Sequence, residues 1–89
     1  GFMITAKEAF AKSSENAKPE YEELVRSFEL LQKAAIDSGH CKLYFIAKGS
    51  EAVRNKFKYE LEALGYIFDG WLQMQSSKDM YDAMIHWGS

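Results

Sequence analysis

The apolar and polar positions fall into two periodic helical stretches, one shorter helical start and several extended runs. Tyr21, Leu24, Val25, Phe28, Leu31 and Ala35, with Leu30 and Ile36 slightly aside, recur at helical spacing. They predict a long amphipathic helix from about Pro19 to Ser38, stopped by Gly39. Its stripe is wider than a coiled-coil seam, so one edge can pack on a sheet and the other on a second helix. Glu20, Glu22, Glu23 and Glu29 mark its wet side, which reads as a solvated face rather than acid–base machinery. Upstream, Thr5-Ala6-Lys7-Glu8 spells a capping box, and Ala6, Ala9, Phe10 and Ala17 give a thin stripe fading between Lys12 and Ala17. Met3 and Ile4 before the cap could pack back on that first helix. Pro19 suits the opening turn of the second, where its missing amide costs nothing.

From Cys41 to Ala47 the chain is aromatic and β-branched, too short for a helix, and bounded by Gly39 and Gly49. It predicts a strand with Cys41, Leu43, Phe45 and Ala47 on one face and Lys42, Tyr44, Ile46 and Lys48 on the other. Both faces are apolar, which predicts cover on both sides, by helices or by a second subunit. Ser50 then caps a helix with Glu51 in its first turn and Val53, Phe57, Leu61 and Leu64 inward; Gly65 closes it. The return through Tyr66 makes a β-α-β core. Two further extended runs, Tyr66–Gln75 and Met80–Trp87, flank the polar loop 76–79 and pair antiparallel by direct succession. Asp69-Gly70 admits a tight turn or a glycine bulge, and the bulge in one bent strand is the favoured reading. The expected fold is α+β, α-α-β-α-β-β, with a small three-stranded mixed sheet packed by helices.

Composition narrows the classes. The 89 residues suit one domain, residues 3–89, with Gly1-Phe2 ahead of Met3 read as a cloning remnant. At 47% hydrophobic and 15% aromatic the chain is too apolar to be disordered, and so short a chain gains from self-association. A net charge of −2 argues against a general nucleic-acid binder. The single cysteine, Cys41, forms no internal disulfide and fits a reducing compartment. No apolar run reaches transmembrane length, and no membrane partner is expected.

Chemistry is sparse. His40 and Cys41 are adjacent in extended chain and point apart, so they make no nucleophile–base pair, and His40, Cys41 and His86 lack metal-ligand spacing. No catalytic residue, metal or cofactor is assigned. Gly49-Ser50 at a helix start could hold an anion, with Lys42, Lys48, Ser50 and Arg54 as the binding set for a ligand such as a nucleotide. Exposed aromatics give the stronger expectation: Trp71, Tyr81, Trp87, Tyr44 and Tyr66 lie on or beside strands and suit a protein interface. Against this, Trp71 and Trp87 can simply complete the core.

Several stretches resemble a group of small tailed-bacteriophage proteins of the myovirus type. They are Met3-Ile4-Thr5-Ala6-Lys7-Glu8-Ala9, Ala34-Ala35 with Gly39, Leu61 to Tyr66 as Leu-Glu-Ala-Leu-Gly-Tyr, and Ile85-His86-Trp87. The likeness spans most of the chain, departs at His86 where the group tends to have serine, and departs again in a longer segment between Gly70 and Tyr81. It implies a phage-encoded accessory protein in the host bacterial cytoplasm, with packaging in the virion as a second location, and carries no catalytic residues. The function expected is non-enzymatic: self-association as a homodimer or higher, through the long helix or a sheet edge, and binding of a host or phage protein. The alternative is sequestration of a small anion.

Overall fold

The computed structural model describes residues 3–88, without the side chains of Phe10 and Ser14; the reading of Gly1-Phe2 and Phe10's place in the first apolar stripe lie outside the described residues. Helix α1 (Ala6–Asn16) starts where the capping box stands, with Thr5 Oγ1 accepting from the Glu8 amide at 3.1 Å. Met3 and Ile4 do not fold back on it: Met3 is 99% exposed and Ile4 47%. Helix α2 (Lys18–Asp37) carries Pro19 in its first turn. Its end is closed by Gly39 at φ 80°, which lets the His40 amide reach back to the Ala35 carbonyl at 2.8 Å. Helix α3 (Glu51–Ala63) is capped by Ser50, whose hydroxyl accepts from the Val53 amide, and is closed by Gly65 at φ 95°.

Strands β1 (Lys42–Lys48), β2 (Ile67–Phe68), β3 (Leu72–Gln73) and β4 (Met80–His86) complete an α+β fold. Strand β4 lies in the middle: β1 pairs along one side of it, β2 and β3 along the other. Every pairing is antiparallel. The expected sheet was mixed because β1 and β2 were read as neighbours. They do run in the same direction across α3, but the last strand inserts between them: Met80–His86 pairs with β1 along its whole length and with β2 and β3 on its other side.

The bulge reading is borne out. Phe68 faces Ile85 and Leu72 faces Asp82, so three residues, 69–71, stand opposite two, 83–84, and Gly70 takes up the turn at φ 101°. Thus β2 and β3 are two halves of one bent strand.

The core forms on one face of this sheet. Phe45, Ala47, Phe68, Ala83 and Ile85 from the strands meet Leu24 and Phe28 of α2 and Val53, Phe57 and Leu61 of α3, all buried. Phe28, Phe45, Phe57 and Phe68 touch edge-on or tilted, with centroids 5.3 to 6.1 Å apart. Leu64 is not part of this layer; it is the C-cap just past α3 and is 75% exposed. Leu30 and Ile36 likewise face out from α2. Among the described residues helices cover one face of the sheet and not both, because α2 and α3 lie side by side on the same one.

Candidate functional site: the open face of the sheet

Pleating sets the composition of the other face. Register partners share a side, so Lys42, Tyr44, Ile46 and Lys48 of β1 stand beside His86, Met84, Asp82 and Met80 of β4. Ile67 and Leu72 continue the layer on the far strand, because they pair with His86 and Asp82. Among the described residues no helix covers these side chains. Tyr44 is 52% exposed, Ile46 41%, Ile67 59% and Leu72 69%, and Met80 and Met84 are half-buried between them. Isolated exposed apolar residues need no explanation, but apolar side chains exposed on the same side of all three strands, with Asp82 and His86 among them, make this face the candidate contact surface.

Two polar contacts lie within this layer. The Tyr44 hydroxyl donates to Asp82 Oδ2 across the β1–β4 pair, and His86 Nε2 stands 3.3 Å from Asp69 Oδ2. The hydrogen bond to Asp82 pushes the Tyr44 phenol above its ordinary range, with desolvation and the carboxylate's charge acting in the same direction. Following the tyrosine ring signals by NMR through alkaline pH is therefore expected to show Tyr44 losing its proton later than a free tyrosine. Asp82→Asn is expected to lower its titration point; a Tyr44 curve indifferent to that change would contradict the contact.

The sequence-predicted aromatic set does not form one surface. Tyr44 alone belongs to the open face. Trp71 is half-buried against Phe45, Phe57 and Phe68 at centroid distances of 5.2 to 6.0 Å, and its Nε1–H donates to the Arg54 carbonyl at 2.9 Å. Tyr66 packs on Phe28 and accepts from the Gln32 amide at 2.6 Å, and Trp87 packs edge-on against Tyr66. Tyr81 lies under the Arg54 guanidinium, 3.5 Å from the ring centroid. These four flank the helix-covered side.

Nor are the four anion-set residues brought together. Lys42 and Lys48 occupy opposite ends of β1, about 20 Å apart at strand rise. The Ser50 amide already donates to Glu20 Oε1 at 2.9 Å, so the α3 N-terminus holds a carboxylate of its own chain, and Arg54 donates to the Gly49 carbonyl at 3.1 Å. Glu20 thereby ties α2 to α3, a role that no local pattern signals across thirty residues.

On the helical side, a groove of about 600 Å³ runs between the α1–α2 junction and α3, lined by Ala17, Tyr21, Val53 and Tyr59 among others. Lys56 Nζ sits 4.4 Å over the Tyr21 ring beside it. Among the described residues no helix is long and apolar enough to cross a membrane, and no group of three or more His, Cys, Asp or Glu is placed to hold a metal ion. Comparison of the chain with protein-family models, with curated proteins and with solved structures finds no match.

Proposed function

We propose that this chain is a non-enzymatic, phage-encoded accessory protein that assembles with copies of itself and, in that form, holds a host or phage protein in the bacterial cytoplasm. The observation that carries the reading is the open sheet face. Tyr44, Ile46, Ile67 and Leu72 are exposed there in one layer, with the two half-buried methionines between them, and a second copy is the occupant. Methionine is an adaptable filler at such surfaces. Edge pairing through β1 is the weaker route, since lysines at both ends of an edge strand discourage it. The phage setting is supported by the likeness of the Thr5-Ala6-Lys7-Glu8-Ala9 start and the Leu64-Gly65-Tyr66 junction.

The test uses exposed positions, where a charge costs the fold little, within about 1 kcal/mol. Light scattering over a concentration series is expected to give the wild-type chain a mass rising toward twice that of one chain. Ile46→Lys with Leu72→Lys, which sets the new charges beside Asp82 rather than against it, is expected to hold it at the single-chain mass, while Leu30→Asp with Ile36→Asp on the outer side of α2 leaves it unchanged. A wild-type chain of single mass throughout, or loss of assembly only in the α2 variant, would overturn the reading.

A further inference from the structure

Strand β1 ends the sheet, and its ladder bonds all go to one side. In an antiparallel pair, residues that exchange both backbone bonds with the partner alternate with residues that point both away. The Trp87 amide donates to the Cys41 carbonyl at 2.9 Å, which fixes the alternation: Leu43, Phe45 and Ala47 bond to Ile85, Ala83 and Tyr81 of β4. The amides and carbonyls of Lys42, Tyr44, Ile46 and Lys48 therefore point outward, and among the described residues no further strand takes them up. The side chains of these same residues are exposed on the open face. At the Lys48 end a groove of about 360 Å³ touches Ile46 on the open face and Leu24 and Ser27 of α2 on the other, so the border is reachable from both sides there.

Such a border is a template for one more strand, and its charges select which. A second copy pairing antiparallel about Phe45 would set Lys42 against Lys48 twice, like charge directly opposite like charge. An extended segment with acidic residues at those two places meets the opposite sign at both. Resting on the reading that the chain holds another protein, we infer that β1 takes up an extended segment of that partner as an added strand, with carboxylates opposite Lys42 and Lys48 and apolar side chains opposite Tyr44 and Ile46. Register partners share a face, so the partner's motif is acidic-x-apolar-x-apolar-x-acidic in either direction, and its apolar pair widens the open layer. The intervening side chains turn to the helical side, where Glu20 and Glu23 line the groove and favour neutral or basic groups. The added strand bonds to the border and leaves the open face uncovered, so a chain paired through that face keeps the site.

The probe is the peptide acetyl-Glu-Thr-Val-Thr-Val-Thr-Glu-amide, carrying a fluorophore for anisotropy and used unlabelled for amide hydrogen exchange. Binding is expected to slow exchange at the Tyr44 and Ile46 amides, which face outward, and to leave the Phe45 amide, which faces β4, unchanged. Lysine in place of both glutamates is expected to weaken binding about tenfold in Kd, and Lys42→Glu with Lys48→Glu to weaken the acidic probe similarly while restoring the lysine-ended one. The first comparison needs only the wild-type chain, so it decides the matter even if the charge variant does not fold. No binding of the acidic probe, equal binding of the two probes, or binding that leaves the Tyr44 and Ile46 amides exchanging as before would overturn the inference. Light scattering of the chain without peptide reads self-association independently. A chain that assembles but ignores the probe loses the edge site alone, and one that stays at single mass yet binds the probe loses the paired assembly alone.

Discussion

Phe57→Ala is expected to lower the stability of the chain by about 3–5 kcal/mol, the range for deleting a fully buried aromatic ring. Phe57 is 2% exposed and lies where both layers meet, its ring against those of Phe28, Phe45, Phe68 and Trp71. A domain of this length holds only about 4–13 kcal/mol in all. Much of the native population is therefore expected to be lost, with a broad or absent transition in denaturant and loss of the near-ultraviolet aromatic dichroism. A change below about 1 kcal/mol would mean that the helices do not pack on the sheet as described.

Trp71→Ala is expected to cost about 2–4 kcal/mol, somewhat less because the ring is only half-buried. The loss has two parts. The indole touches three phenylalanine rings, and its N–H satisfies the Arg54 carbonyl at 2.9 Å. Trp71→Phe keeps most of the first and removes the second, so it is expected to recover all but about 1 kcal/mol. The midpoint of denaturant unfolding measures both. An alanine variant as stable as the wild type but unable to capture a partner would instead make Trp71 an interface residue, as its place in the sequence suggested.

That contrast shows where the sequence was readable. Caps and stops are local, and Thr5, Ser50, Gly39 and Gly65 act on amides and carbonyls within a few residues, so the helix ends could be placed from the chain alone. The bulge at Gly70 was legible for the same reason. Strand order was not, because the position of β4 depends on pairings between Lys42 and His86, far apart in sequence. The side on which an aromatic lies was legible only in part. Tyr44 could be assigned to the face opposite Phe45 from pleating, but the bulge re-aims Trp71 into the core, and no periodicity reports that. Two-sided apolarity in β1 predicted cover on both faces, by helices or by a second subunit, and α2 and α3 together cover only one of them. Glu20 and Arg54 acquired their partners, the Ser50 amide and the Tyr81 ring, through tertiary contacts alone.

If copies meet through the open sheet face, that face and not the outer side of α2 is shielded. NMR relaxation by a soluble paramagnetic probe, recorded on the wild-type chain at low and high concentration, reads that surface residue by residue. Shielding at high concentration confined to Tyr44, Ile46, Ile67 and Leu72, with Leu30 and Ile36 still relaxed, is the predicted result; open-face signals equally relaxed at both concentrations would contradict it.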